Sequence, residues 1–203
     1  MNEDLLARVL EKSKEVYIKY GVKSVTMDDI SKELGISKKT LYTVVKDKNE
    51  LIEKTSFSIS DGIFNEINEL LKKKLDPISE LLEIENIVCN TITSFNPAVI
   101  HQFQKYYPAI HKKLHDRQKS AIIEMIKDNM HRGIEAGVYR DDLDVNFMAH
   151  LDYSTSFNLI NPDFFPADKF EIKEIKHKYL IYHLRGISTQ KGLSFIEKKL
   201  TDY

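Results

Sequence analysis

Apolar residues recur at helical spacing along almost the whole chain, and this periodicity constrains the fold more than any other feature. Near the N-terminus, Leu6, Val9 and Leu10 begin such a stripe, with charged residues between its members. The 203 residues include 7 glycines and 5 prolines, about half the usual share of these two residue types. No alternating strand pattern and no internal repeat is visible in the sequence. The sequence therefore predicts an all-α protein.

Composition narrows the class of protein further. The formal net charge is −1, so DNA or RNA binding must depend on a local cluster of charge. Cys89 is the single cysteine, which excludes an internal disulfide and fits a reducing compartment. The longest uncharged stretch, residues 86–104, is too polar to span a bilayer. We therefore predict a cytoplasmic protein without a membrane partner.

Two short helical segments lie close together near the N-terminus, at residues 26–34 and 37–44. Thr26 and Ser37 are residue types that cap helix starts, and Gly35 is the type that follows a helix end. Two helices of about two turns each, joined by a tight glycine turn, are the sequence form of a helix-turn-helix. The first 50 residues thus predict a three-helix unit that precedes a larger helical bundle.

The second of these segments has the composition of a helix that reads DNA. Leu41 and Val45 give it one apolar edge, while its other positions are mostly polar. From Lys32 to Lys48 there are five lysines and two acidic residues, so the local net charge is 5 − 2 = +3. A short polar helix of this kind fits the major groove, where each base pair presents a distinct pattern. The sequence therefore predicts contacts with double-stranded DNA.

Residues 12–52 resemble the DNA-binding domain of TetR-family transcriptional regulators. The resemblance is carried by GVKSVTMDDI at 21–30, LGISKKTLY at 34–42 and KNEL at 48–51, with a weaker likeness at 133–140. It implies an N-terminal three-helix DNA-binding domain with a helix-turn-helix at residues 1–50. It also implies a C-terminal helical bundle for ligand binding and dimerisation at residues 51–203.

The resemblance implies a homodimeric repressor that binds a pseudo-palindromic operator and responds to a small-molecule ligand held in the bundle. The DNA contacts it implies come from polar residues in and beside the second short helix, namely Thr26, Ser37, Lys38, Lys39, Thr40, Tyr42, Thr43 and Lys48. Val44 departs from the family, which usually has an aromatic residue or histidine there. This departure leaves an alternative, a dimeric module that binds small molecules or proteins and has a weakened DNA-binding domain.

The uncharged stretch at 86–104 is the candidate lining of the ligand pocket. Pockets for small molecules are mostly apolar with a few placed polar groups, and the stretch mixes amide, hydroxyl and aromatic side chains. The candidate pocket residues are Asn86, Asn90, Thr93, Phe95, His101, Phe103, Tyr106, Tyr107 and Phe157. An apolar or aromatic ligand would suit them. The same residues are also compatible with ordinary core packing and helix caps, and both interpretations stay open.

Motifs for catalysis are missing from the sequence. It has no glycine-rich phosphate loop and no Gly-x-Ser-x-Gly turn. His111 and His115 share a helix face, but Lys112 stands where a zinc protease needs glutamate. We therefore expect a solvated helix face there, no enzyme activity, no metal and no cofactor, with a small-molecule effector of unknown identity.

Two helices near the C-terminus carry apolar stripes. The residues are Met148, Leu151, Thr155 and Leu159 on one helix, and Ile172, Ile175, Tyr179, Tyr182 and Ile187 on the other. Helix-turn-helix proteins commonly bind two half-sites as dimers, so these stripes predict a dimer interface. Packing within the chain is the alternative use of the same side chains.

Overall fold

A computed structural model describes residues 2–95, 97–161, 163–166 and 168–201. Its helices are α1 Asn2–Tyr20, α2 Met27–Leu34, α3 Lys38–Leu41, α4 Lys48–Leu71, α5 Pro77–Thr93, α6 Pro97–Tyr106, α7 Pro108–Glu135, α8 Val145–Asn158, α9 Ile172–Ile187 and α10 Gln190–Thr201. Within the described ranges, extended pairing is limited to one isolated bridge between Tyr139 and Ser188. The all-α prediction is confirmed. None of the described helices is both long and apolar enough to cross a membrane.

Helix ends in the N-terminal region follow local chemistry. Gly21 and Gly35 come directly after α1 and α2 and adopt φ values of 82° and 65°. These angles lie in the left-handed region, which glycine enters without a Cβ penalty. At the start of α4, the Asp47 carboxylate accepts a hydrogen bond from the Glu50 amide at 2.8 Å. These ends were predictable because each depends on neighbouring residues alone.

The second helix of the helix-turn-helix is shorter than the sequence predicts. Regular α-helix covers Lys38–Leu41, and the chain continues to residue 44 as a tighter turn. The Thr43 and Val44 amides donate to carbonyls three residues earlier, at 3.1 Å each. The Thr43 hydroxyl also donates to the Thr40 carbonyl at 2.6 Å. This competition with the helical ladder, together with the β-branched pair after it, ends the α-helix early.

Helix α10 contains a glycine in its first turn. The helix begins at Gln190, because the Thr189 hydroxyl accepts a hydrogen bond from the Gly192 amide at 3.3 Å. A Cβ at Gly192 would lie 2.1 Å from the Val138 carbonyl oxygen. Glycine at this position therefore permits a close approach of two backbones and does not mark a helix boundary.

Packing divides the chain into two compact units. The first unit takes the residues up to 65 together with 91–116, and the second takes 66–90 together with those from 117 onward. The division falls inside α4, α5 and α7. It describes packing, whereas the predicted boundary between residues 50 and 51 concerns function and stays a prediction.

The first unit is built around the helix-turn-helix. Its buried core consists of Val9, Val16, Tyr17, Val22, Val25, Ile30, Leu41, Val45, Leu51, Ile52, Val99 and Ile110. Side chains from α6 and the start of α7 therefore pack on the same core as α1 to α3. Burial of apolar surface of this extent is what holds such short helices in place, since α3 alone is far too short to be stable.

The second unit contains a buried polar network between α5 and α7. Glu80 is only 2% exposed, and its Oε1 accepts hydrogen bonds from Asn129 at 2.8 Å and Arg132 at 2.5 Å. Asn129 also donates to the Pro77 carbonyl at 3.0 Å and accepts from the Tyr139 hydroxyl at 3.2 Å. The buried carboxylate is thus paired and hydrogen-bonded, as a buried charge must be.

Candidate nucleic-acid interface

The segment predicted to read DNA is held by one face and exposes the other. Leu41 is fully buried and Val45 is 2% exposed, and both belong to the core of the first unit. At the helix start, the Ser37 hydroxyl accepts a hydrogen bond from the Thr40 amide at 3.0 Å. Anchoring and capping fix the direction in which the polar side chains of α3 point. The apolar edge predicted for this helix therefore lies in the core.

Exposed side chains in and directly after α3 differ in whether they form contacts within the protein. Lys38 forms an ion pair with Asp28 of α2 at 2.5 Å. Lys39 is exposed and has no ion pair among the described residues. Tyr42 is 47% exposed although its ring is large and partly apolar. Lys39 and Tyr42 are thus the members of the predicted set most available to DNA.

The start of α2 is fixed by a capping box. The Thr26 hydroxyl accepts from the Asp29 amide at 3.2 Å, and the Asp29 carboxylate accepts from the Thr26 amide at 2.8 Å. The Thr26 hydroxyl also donates to that carboxylate at 2.7 Å. These hydrogen bonds lower the pKa of Asp29. A phosphate contact through the hydroxyl proton of Thr26 would therefore compete with its capping role.

Lys48 joins the start of α4 to the connection between α1 and α2. Its Nζ donates to the Lys23 carbonyl at 3.0 Å. Partial burial lowers the pKa of Lys48, and the nearby Asp29 carboxylate opposes that shift. An ammonium carries three donors, so this contact leaves Lys48 able to bind a phosphate while it braces the fold.

The side chain of Val44 faces the core of the first unit. Its side chain is half-buried and packs against the core of the first unit. Its carbonyl accepts a hydrogen bond from Lys54 Nζ at 3.2 Å. The departure from the family pattern therefore has a structural role here, because an apolar side chain at this position adds to the core.

Sequence reasoning missed a contact between α6 and the connection from α1 to α2. Lys23 Nζ lies 3.2 Å from the Tyr106 hydroxyl and 4.4 Å from the centroid of its ring. Gln102 Oε1 accepts from the Lys23 amide at 3.4 Å. Lys23 and Gln102 lie 79 residues apart in the sequence, and no local signal links positions so distant.

The candidate pocket residues fall in different units. Asn86, Asn90 and Phe157 belong to the second unit, and the other six belong to the first. Phe95, Phe103 and Tyr107 pack against the core of the first unit. Thr93, His101 and Tyr106 are exposed. The contacts of the first unit thus account for Phe95, Phe103 and Tyr107 as core residues, while a ligand role for the set stays a prediction.

Replacement of Thr26 by alanine removes the cap of α2 and is expected to destabilise the first unit by about 1 kcal/mol. Thr26→Ser keeps the hydroxyl and should retain most of the stability. Since the pKa of Asp29 is lowered in the folded chain, its capping contribution is complete above its ordinary value of 3.8 and declines below it. Urea denaturation at neutral and acidic pH measures both effects. Equal stability of Thr26→Ala and wild type at pH 7 would contradict the capping role.

Residues 9–55 match the family described as bacterial regulatory proteins, tetR family. Over 194 residues the chain is 23% identical to the HTH-type transcriptional repressor KstR2 of Mycolicibacterium smegmatis, with 91% of each chain covered. The family match covers the helix-turn-helix, and the likeness to the repressor extends over nearly the full length.

Solved structures share the fold. A transcriptional regulator from Cytophaga hutchinsonii has a TM-score of 0.73 and 18% identity, over 91% of this chain and 98% of that one. Thermus thermophilus FadR in complex with lauroyl-CoA has a TM-score of 0.61 and 15% identity, over 91% and 96% of the two chains. At these identities the likeness is one of architecture, an N-terminal helix-turn-helix domain followed by a helical C-terminal domain.

Proposed function

Because this chain belongs to the TetR family of bacterial transcriptional regulators, we propose that it acts as a dimeric repressor. Binding of a small-molecule effector would make the dimer dissociate from its operator. The observation that carries the DNA-binding part is the placement of α3. Leu41 and Val45 anchor this segment in the core, while Lys39 on α3 and Tyr42 directly after it are exposed. Two such helices would enter successive major grooves, about 34 Å apart.

Titration of labelled DNA from upstream of the chain's own gene tests this proposal. Fluorescence anisotropy is expected to give saturable binding that a scrambled duplex of equal length does not reproduce. Affinity should fall with salt at a log–log slope of about −0.9 for each phosphate contacted. Equal affinity for the upstream and scrambled duplexes would instead favour the alternative of a weakened DNA-binding domain.

Dimerisation is supported by large apolar side chains that remain exposed on α8 and α9. Phe147 and Leu151 are one helical turn apart on α8 and are 60% and 46% exposed, and Tyr182 on α9 is 77% exposed. The two helices are linked by a hydrogen bond of 2.8 Å from the Tyr179 hydroxyl to Asp152. A solvent-exposed group of apolar residues on adjacent helices is typical of a protein interface.

Replacement of Leu151 by aspartate is expected to shift the protein from dimer to monomer, because it places a charge in the proposed apolar interface. Light scattering coupled to size exclusion measures the mass directly. Ser120→Asp, at an exposed position on α7 of the same unit, is the control for added charge. A wild-type protein that is monomeric, or a Leu151→Asp variant that stays dimeric, would contradict this interface.

An effector site in the second unit is supported by a buried carboxylate. Among the described residues, Glu85 Oε1 is buried and has no hydrogen-bond partner, and burial raises the pKa of Glu85 to about 7. A buried acceptor without a donor is costly, and a hydroxyl or amine of an effector would satisfy it. The sequence offered no signal for Glu85 because surface and interior glutamates look alike.

Within the first unit, α6 is connected to a predicted phosphate contact. Tyr106 and Gln102 hold Lys23, whose carbonyl in turn accepts the hydrogen bond from Lys48. A shift of α6 would thus move the connection between α1 and α2 together with a predicted phosphate contact. An effector changes DNA affinity only by its differential affinity for the two arrangements.

Lauroyl-CoA is the first effector to try, since a fold neighbour holds it. The proposal predicts that an effector releases labelled operator from the wild-type protein. Glu85→Gln keeps the size of the side chain but removes its charge, so it would change the concentration of effector required.

A further inference from the structure

His111 and His115 lie one turn apart near the start of α7, and their rings are in contact. The two Nε2 atoms share a hydrogen bond of 3.0 Å, in which one ring is the donor and the other the acceptor, and the ring centroids are separated by 4.3 Å. Phe103 of α6 packs edge-on against His111, with centroids 5.7 Å apart. Both imidazoles are half-buried. The pair therefore does not form the freely solvated face expected from the sequence.

The separation of the two nitrogens suits a shared metal ion. Zinc binds imidazole nitrogen at about 2.0–2.1 Å, which places two such ligands of a tetrahedral ion about 3.3 Å apart. On a square-planar ion, adjacent ligands at the same bond length are about 2.9 Å apart. The observed 3.0 Å between the Nε2 atoms of His111 and His115 lies between these two values.

The lysines next to the pair are engaged in ion pairs. Lys113 Nζ lies 3.0 Å and 3.1 Å from the two carboxylate oxygens of Glu53 on α4. Lys112 pairs with Asp116 one turn along α7. These carboxylates offset the positive charge that the sequence places around the histidines, so the repulsion of a cation is weaker than the sequence alone indicates.

Binding of an ion requires one ring to change its tautomer. One Nε2 carries the proton of the hydrogen bond between the rings. A bound ion would take the place of that proton, and the donor ring would then carry its proton on Nδ1, so that each neutral ring presents a lone pair on Nε2.

We propose that His111 and His115 bind one divalent transition-metal ion of the zinc class through their Nε2 atoms, with water in the remaining coordination positions. Over the described part of the chain, no group of three or more potential metal ligands occurs, so the protein supplies two ligands. His111 follows the buried Ile110, which belongs to the core of the first unit. A bound ion would therefore join the first turns of α7 and stabilise that unit.

Calorimetric titration of the untagged full-length chain with Zn²⁺ at neutral pH tests the site. We expect saturable binding of one ion per chain and a rise in melting temperature. His111→Ala and His115→Ala should each weaken binding by about tenfold or more. His101→Ala removes an exposed imidazole of the same unit and should bind zinc as the wild type does. Mg²⁺, which prefers oxygen ligands, should not bind.

Two controls distinguish a variant that folds poorly from one that has only lost a metal ligand. Circular dichroism checks the fold of each variant, and His111→Gln and His115→Gln fill most of the same space without an imidazole. The visible absorption of bound Co²⁺ reports nitrogen ligation directly and should vanish in the His111 and His115 variants but not in His101→Ala. Absence of saturable zinc binding, or unchanged affinity in a folded variant that carries both His111→Gln and His115→Gln, would overturn the proposal. DNA affinity enters none of these measurements, so failure here leaves the proposed function untouched.

Discussion

Joint replacement of Lys39 and Tyr42 by alanine is expected to lower operator affinity at least about thirtyfold, if each contact contributes about 1 kcal/mol or more. Lys39 brings a charge that has no ion pair in the part of the chain that the structure describes, and Tyr42 brings a hydroxyl on a ring that is 47% exposed. Neither side chain belongs to the buried core of the first unit. Folding should therefore be preserved while DNA binding is lost. Anisotropy titrations over a range of salt concentrations measure the effect.

The salt dependence distinguishes a phosphate contact from a base contact. If Lys39 binds a phosphate, Lys39→Ala alone should make the log–log slope shallower by about one. If it reads a base edge, affinity should fall for the operator more than for scrambled DNA while the slope stays nearly unchanged. Lys112→Ala, an exposed lysine of α7 in the same unit, controls for general loss of positive charge. Wild-type affinity in the double variant would remove α3 from the DNA interface.

The same anisotropy titrations also test whether Val44 weakens DNA binding. Its side chain packs on the core, so the missing aromatic residue weakens DNA binding only if no other group supplies the contact. Lys48 retains donors beyond its bond to the Lys23 carbonyl. Strong operator binding by the wild type together with a loss in Lys48→Ala would locate the phosphate contact there. Weak operator binding that is changed neither by Lys48→Ala nor by the joint replacement of Lys39 and Tyr42 would favour the alternative of a weakened DNA-binding domain.

The sequence predicts best where the structure depends on neighbouring residues. Thr26, Ser37 and Gly35 act through groups within three or four positions, and the structure confirms each cap. The length of α3 was harder to predict because Thr43 competes with the helix through its own hydroxyl. Such side-chain competition follows rotamers, which the residue type alone does not fix.

Contacts between distant segments were less accessible from the sequence. The stripes on α8 and α9 were predicted as a dimer face, yet Ile175 and Ile187 are buried within the chain and Met148 packs on its core. Phe147, which lay outside the predicted stripe, is 60% exposed. An apolar stripe indicates that a surface is covered, whereas only the arrangement of helices determines which side chains the chain itself covers.

Replacement of Gly133 by alanine is expected to destabilise the second unit by about 3 kcal/mol or more, a larger loss than most single substitutions cause. A Cβ at this position would lie 1.9 Å from Tyr139 Cδ2 and 2.2 Å from Cε2. The ring cannot move away easily, because it is 1% exposed and its hydroxyl donates to Asn129. The carbonyl of Gly133 also accepts the Tyr139 amide at 3.0 Å. Urea denaturation followed by circular dichroism measures the loss.

Gly186→Ala is the matched control, since Gly186 also lies near the end of a long helix of the second unit. No atom lies within 4 Å of a Cβ built there, so alanine should be neutral or stabilise the helix by up to about 1 kcal/mol. If the clash with the ring is the cause, Gly133→Ala should cost much less in a Tyr139→Ala background, because alanine lacks the Cγ, Cδ2 and Cε2 atoms that the added methyl group would meet. Equal losses in both backgrounds would mean that Gly133 is required for another reason, and wild-type stability of Gly133→Ala would contradict the packing of this turn against α7.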